Sequence, residues 1–524
     1  MSSRELPARP HLDQLKAQAK DLLADARAGR AEAIARFALL PAFAAGRISA
    51  EALALHDAQS VIAREYGCPS WSALKDEVDA RGLAFEAAVD EFVRAATGGA
   101  RARAERLLAL YPAIRTASLE TALVLADADA VAARIAASPA LARQRGGAQQ
   151  WEPLLYACHT CLAGDDPQTL DALTRIATLL LAHGADPNAE YHWQWHPELP
   201  RTVLWAAVCV INYLPLAKVL LRAGARATDG VTPHITSGGG MLEPLELLQR
   251  HGLDVNGVPG GVPPLVYALT WARTDKGARW LLAHGADPNR AWGDLNETAL
   301  HVAARRWDVA LVETLVQHGA DIHRRRADGR TPHALAILHG KPDIADWLRA
   351  QGAVDELTPL DRFVAACVRG DRASADALLA TTPSLRTSLT TEHHRLLDDP
   401  AERGDLAVLD TMLACGFNPN TGDKDAVTPL HRAAMAGRAS AVATLIAHGA
   451  NVTALDGMFS ATPLIWAVEG RNHPDAHADH VAVAIALIHA GCPMTWQAPE
   501  GAPSPERTQD ALQELLAEAA RREH

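Results

Sequence analysis

From Glu152 onward, two kinds of apolar run alternate with polar stretches. The first is short and rich in Leu and Ala. It reads TALHVAA from Thr298, TPHALAI from Thr331, TPLHRAA from Thr428 and TPLIWAV from Thr462, with weaker copies from Glu152, Thr202 and Pro263. Thr is a good helix N-cap and Pro is preset for the first helical position. The Leu and Ala that follow have helical spacing and small volume, which lets neighbouring units stack closely. Roughly ten residues later comes a second apolar run, such as Val309 to Gln317, ended by Gly319 in the left-handed position beyond a helix end. The Asp-x-Asn stretch after it suits a tight turn. Each unit therefore reads as helix, turn, helix and a protruding hairpin loop.

The glycines set the period. HGADPN at 183–188 returns intact at 284–289 and with changes from His251, His318, Cys415 and His448, with echoes from Ala223, Gln351 and Ala490. Its glycines stand at 184, 224, 252, 285, 319, 352, 416, 449 and 491, so the spacings are 40, 28, 33, 34, 33, 64, 33 and 42. The period is 33, and the interval of 64 holds a unit without the signature. Two motifs locked in one register through many copies resemble the ankyrin repeat. The resemblance covers 152–495. Degenerate units at 85–115, 116–145 and 358–386 extend it, each a helix pair closed by Pro-Ala-Ile-Arg, Pro-Ala-Leu-Ala or Pro-Ser-Leu-Arg, giving about a dozen units.

The resemblance implies an all-α solenoid that recognises a protein or peptide partner on its concave face. Five segments are expected: a helical N-terminal cap at 1–82, degenerate repeats at 83–150, central repeats at 151–357, C-terminal repeats at 358–502 and a capping helix at 503–524. The first segment is similar to the helical leader that precedes ankyrin repeats in a group of bacterial proteins, on its LPARP start, Tyr66-Gly67 and Pro69-Ser70-Trp71. Its physical role would be a cap, since a solenoid needs a polar-faced end. Stability should come from neighbour-to-neighbour stacking, with long-range contacts nearly absent.

Charge narrows the partner classes. The 524-residue chain carries 50 Lys and Arg against 62 Asp and Glu, a net charge of −12. That argues against nucleic acid and against an anionic membrane surface. No apolar run reaches the roughly 18 residues of a membrane span, and the N-terminus has no signal core. Seven scattered cysteines fit reduced thiols, so a cytoplasmic location is expected.

Function is sought where the repeat breaks. The 40-residue unit carries Tyr191, His192, Trp193, Trp195 and His196 at a loop tip, either as a partner anchor or as a loop folded back on its neighbours. Seven of the 12 tryptophans lie between Trp193 and Trp307. Among them, Trp271 is expected to face the groove, Trp292 lies on a loop and Trp280 is expected in the core. His159 is also placed toward the groove. Thr236 to Gly240 is expected to break a first helix and so shorten its unit to 28 residues. Arg305, Arg306, Arg324 and Arg325, with Arg326, form a basic patch suited to an acidic segment, with Asp294, Glu297, Asp308, Asp321 and Asp328 near enough to neutralise it.

No nucleophile–base set or carboxylate dyad is legible, and no cofactor or metal is assigned. Cys158 and Cys161 lack a second pair at zinc spacing, and His473, His477 and His480 read as a solvated insertion. The alternative to a scaffold is a small-molecule binder or enzyme with a central pocket of Trp and His residues, with His192, His196 and His234 converging on a carboxylate such as Glu198.

Overall fold

The structure is a computed structural model and describes residues 4–7, 10–40, 53–193, 196–272, 274–472, 475, 477–497 and 505–523. Twelve helix pairs follow one another among these residues, from Phe85–Thr97 with Arg101–Leu110 to Pro463–Gly470 with His480–His489. First helices contact first helices of the next unit, as Ala299–Arg306 does Pro332–Leu338, and second helices contact second helices, as Pro167–Ala182 does Leu214–Arg222. The chain is an all-α solenoid.

The repeated strings explain the stacking atom by atom. All nine period-setting glycines have φ between 84° and 101°, where a side chain is costly and glycine is not. Asp287 Oδ1 accepts the Asn289 N–H at 2.9 Å, which closes the expected turn. Asn289 then stitches to the next unit: its Oδ1 accepts the Asp321 N–H at 2.8 Å, and its Nδ2 donates to Gly319 O at 2.8 Å. Asn188, Asn256 and Asn420 accept equivalent N–H groups from the units that follow them. The Thr-x-x-His box is a second stitch. His301 Nδ1 accepts the Thr298 N–H at 3.2 Å, and its Nε2 donates to Arg324 O of the next loop at 3.0 Å. Burial pushes the His301 pKa down to about 4, so the ring stays neutral in this role. His431 repeats the arrangement with Thr428 and Ala461 O.

Two units differ from expectation. The glycines at 238–240 do not break a helix: Thr232–Gly238 is complete, and Gly240 (φ 65°) holds the place of Gly340 (φ 66°) and Gly437 (φ 68°). The shortening lies in the loop, since Gly224 precedes the cap residue Val231 by seven positions and Gly319 precedes the cap residue Thr331 by twelve. The next second helix packs tightly here, and a Cβ on Gly277 would stand 1.9 Å from Ser237 O. The 64-residue interval contains a pair whose first helix is split into Thr391–His394, Arg395–Leu397 and Asp398–Arg403. Its box survives unannounced, with the Thr390 N–H 3.0 Å from His393 Nδ1.

The core lies in three apolar clusters. One is confined to the N-terminal helices Leu12–Arg27, Ala31–Arg36, Leu55–Glu65 and Trp71–Gly82, around Leu22, Phe37 and Leu74. The other two run from Ala80 to Ala353 and from Leu338 to Ala519. The last helix, Pro505–Glu523, packs on the final pair and also touches Trp71–Gly82. This contact joins elements more than 400 residues apart, against the expected near-absence of long-range contacts. Among the described residues no helix is long and apolar enough to cross a membrane.

Candidate partner-binding site

The 40-residue unit spends six of its seven extra residues in the loop from Gly184 to Thr202 and one in the first helix. The loop is an antiparallel hairpin of strands Glu190–Trp193 and His196–Thr202, in which Tyr191 pairs with Arg201 and His192 with Pro200. The extra helical residue is absorbed as a π turn: Val203–Trp205 widens into Ala206–Val210. Trp205 stands where regular units carry the box histidine, so no imidazole reaches the next loop. Thr202 takes over the stitch, its hydroxyl donating to Asp229 Oδ2 at 2.6 Å. Arg201 lies over Trp205, with Cζ 4.2 Å from the ring centroid.

Rings from three units converge beside this helix. Trp151 stacks on Tyr191 with centroids 4.3 Å apart and planes at 26°. His159 meets Tyr191 edge-on at 5.2 Å and Trp205 at 5.9 Å. His159 Nδ1 donates to Leu155 O at 3.0 Å, which leaves Nε2 an acceptor with no donor. Burial pushes its pKa down to about 4. Next to the stack opens a cavity of about 530 Å³, with Arg145, Gln149, Trp151, Glu152, Glu190, Tyr191 and His192 among its lining residues.

A second aromatic group continues along the first helices. Tyr267 meets Trp271 at 4.7 Å, and Trp271 meets Trp292 edge-on at 6.1 Å. Trp271 is 51% exposed and Trp292 37%. Trp292 is held by a two-way backbone bridge to Glu297, at 2.9 and 3.0 Å. Burial raises the hydroxyl pKa of both Tyr191 and Tyr267, and the Arg201 charge opposes it in each. The result is two groups of rings, one around Trp151 and one ending at Trp292.

The basic patch is smaller than the sequence suggests. Arg305 Nη2 is 2.8 Å from Glu297 Oε2. Arg326, with a side chain 2% exposed, is enclosed by Glu297 at 2.9 Å and by Asp328 and Glu392 at 2.6 Å each. Glu392 comes from the pair beyond the unit without the glycine signature, so spacing gave no hint of it. Arg325 pairs with Glu356 at the surface. Arg306 and Arg324 are exposed.

The remaining expected residues divide. His192 is exposed on the hairpin, 3.6 Å from Glu190. The backbones of Trp193 and His196 lie in the strands, but their side chains, with Glu198's, lie outside the described residues, as does Trp195 altogether. His159 is 2% exposed and does not face a groove; the rings of Trp151, Tyr191 and Trp205 cover it. His234 is buried with its Nε2 2.6 Å from Val262 O, a structural role. Trp280 is in the core as expected, stacked on His284 at 3.8 Å. Cys158 is a buried apolar filler whose thiol is pushed up to about 12 by desolvation, and Cys161 donates to Ala95 O. His480 is 3.0 Å from Met435 O and Asp475 pairs with Arg438, while His473 lies outside the described residues. Sequence reasoning missed Gln149, Trp151, Glu152, Glu190 and Tyr267. A signal was present for the π turn: Thr202 precedes Asn212 (φ 54°) by ten positions, whereas Thr331 precedes Gly340 by nine.

The architecture defines a stacked helix-pair repeat protein. Family models for ankyrin repeats match residues 265–315, 291–358 and 399–492, so the chain carries ankyrin repeats there. It resembles Ankyrin repeat protein nuc-2 of Neurospora crassa, 28% identical over 200 residues, 37% of this chain and 19% of that protein. It also resembles Rabankyrin-5 of Mus musculus, 29% identical over 228 residues, 39% of this chain and 19% of the relative. The chain thus matches about a fifth of the length of these relatives. Among solved structures, the human ASB11 ankyrin repeat domain aligns with 25% identity and a TM-score of 0.34, over 45% of this chain and 99% of that one. Trp151, Tyr191 and Trp205 lie outside the stretches matched by the family models.

Proposed function

We propose that the chain is a non-enzymatic scaffold that holds a protein or peptide segment on its concave face, along the ring track from Trp151 to Trp292. The observation that carries this reading is the exposed Trp271–Trp292 pair. Two adjacent tryptophans left half in water are costly unless a partner covers them, and Trp dominates interface hot spots. His159 supports the track from beneath, Tyr191 and His192 border it, and Trp193, Trp195 and His196 belong to the same hairpin. Arg306, Arg324 and Arg325, with Arg305 behind them, would face an acidic part of the segment. The relatives' names point the same way only in that they are ankyrin repeat proteins.

The test is affinity capture with the full chain beside Trp271→Ala/Trp292→Ala, followed by a binary titration of the purified partner. We expect a partner whose affinity falls at least about tenfold in the variant, that is about 1.4 kcal/mol, with the unfolding midpoint nearly unmoved. Equal affinity for both proteins would overturn the reading. A small molecule retained with no protein would favour the alternative of a ligand binder, for which the cavity beside Trp151 is the specific support.

A further inference from the structure

We infer that the outer edge of strand Glu190–Trp193 takes an extended stretch of the bound segment as a third strand. The inference rests on the scaffold reading and says how one part of the partner is held.

The pairing within the hairpin decides which main-chain groups look outward. Pro200 has no N–H, so His192 and Pro200 form a pair that exchanges no hydrogen bonds. Such pairs alternate along an antiparallel ladder, so Tyr191 exchanges bonds with Arg201 and Glu190 exchanges none with Thr202. The Val203 N–H, 3.1 Å from Ala189 O, keeps the same alternation. The N–H and C=O of Glu190 therefore point away from the second strand. Neither has a backbone partner among the described residues. The second strand's outer edge is closed. Pro200 stands at an outward position with no proton to donate, and Thr202 gives its hydroxyl to Asp229 of the following loop at 2.6 Å. The first strand looks the other way, toward the preceding loop with its Gly146–Trp151 bridge. Between that loop and the strand lies the cavity, with Gln149, Trp151 and Glu152 on one side and Glu190, Tyr191 and His192 on the other.

The chemistry of this slot selects a peptide main chain. Its charges are matched within the wall, Glu152 with Arg145 at 3.5 Å and Glu190 with His192 at 3.6 Å, so it calls for neither an anion nor a cation. A main chain is neutral, and it brings an acceptor for the Glu190 N–H and a donor for the Glu190 C=O. An edge strand with such groups turned outward is a template for an added strand. Alternate side chains of that strand would fall on the Trp151–Tyr191 stack, which favours β-branched or apolar residues there. The volume of about 530 Å³ lies within the roughly 300–1,000 Å³ of ordinary ligand pockets.

The test uses the full chain and two blocked pentapeptides, Thr-Val-Thr-Val-Thr and the same sequence with every backbone nitrogen methylated. Binding is read by intrinsic tryptophan fluorescence and calorimetry, and hydrogen exchange is followed at the Glu190 amide. We expect saturable binding of the first peptide, slowed exchange at Glu190 when it is bound, and at least about tenfold weaker binding of the methylated peptide. Glu190→Pro removes the outward N–H without touching a ladder bond and should weaken the first peptide by a similar factor. Glu190→Gln keeps the N–H and should bind as the wild type does. Equal binding of the two peptides overturns the inference, as does full affinity in Glu190→Pro or an equal loss in Glu190→Gln. Should the proline variant change the circular dichroism, the methylated peptide and the exchange at Glu190 decide on the wild type. No saturable binding of the unmethylated peptide at millimolar concentration overturns the inference as well. A partner that depends on Trp271 and Trp292 while this peptide fails refutes the added strand and leaves the scaffold standing. Failure at the tryptophans with the peptide still bound refutes the scaffold alone.

Discussion

The units at 285–352 and the unit at 184–224 use one plan for different ends. In the first of the regular units the signature reaches forward: Asn289 to Asp321 and Gly319, and His301 to Arg324 O. In the long unit Trp205 replaces the histidine, a π turn replaces the straight helix, and a hairpin replaces the short loop. The forward stitch survives through Thr202, Asn188 and Asp229. The freed positions are filled with rings, Tyr191 and Trp205 among them, and Trp205 Nε1 is buried without a partner. One region ties its signature residues to the next unit, and the other gives those positions to rings. In a solenoid each unit leans only on its neighbours, so one unit can depart this far without unravelling the rest.

The largest effect expected is at Arg326. Arg326→Met would leave Glu297, Asp328 and Glu392 facing one another without their central cation. Breaking such a buried set costs about 3–5 kcal/mol. Arg324→Met, on the same loop but exposed, should stay within about 0.5 kcal/mol. Urea unfolding of both variants checks the contrast, and equal losses would mean that the network is not holding the regular units together.

Next comes the box histidine, with a sign fixed by its pKa. The folded value of about 4 lies below the ordinary 6.5, so between these values the unfolded chain binds more protons. The contribution of His301 is whole above pH 6.5, falls as pH drops through that window and is gone below about 4. His301→Gln lacks this titration, so its deficit against the wild type should shrink as the pH is lowered across the window. Urea melts of both chains at several pH values decide it, and a pH-independent deficit would show that the ring is not held neutral. Third in size is the aromatic region: Trp151→Leu removes the stack on Tyr191 and should cost about 0.5–1.5 kcal/mol beyond lost area. Its near-ultraviolet circular dichroism should weaken at the same time, and an unchanged spectrum would dismiss the stack.

What the chain discloses in advance follows from what is local. A glycine at φ near 90° is required by the backbone, so the nine period glycines announce the solenoid directly. The Thr-x-x-His box is legible because cap and ring sit three residues apart. The ring cluster is not, since Trp151, Tyr191 and Trp205 meet only once three units have stacked. Glu392 is 66 residues from Arg326, and no spacing rule reaches across a unit that has lost its signature. The glycine run at 238–240 misled for the opposite reason: glycine lowers helix propensity, but a seven-residue helix held by tertiary packing overrides it.

The smallest effect on stability, and the sharpest on the comparison, concerns Arg306 and Arg324. Both are exposed, at the regular end of the ring track, while Glu152 and Glu190 border its other end. A segment laid along the track would then carry an acidic stretch beyond Trp292. Arg306→Glu with Arg324→Glu should leave the unfolding midpoint almost unmoved, as exposed substitutions do. It should slow association with an acidic-ended segment, and the difference from the wild type should shrink as salt is raised, because exposed charges act mainly on the encounter and are screened over about 10 Å at 0.1 M ionic strength. Stopped-flow association at two salt concentrations measures this. A loss that appears in the dissociation rate and ignores salt would instead place these arginines in a desolvated contact. No change in either rate would remove the charged end from the track and leave recognition to the rings.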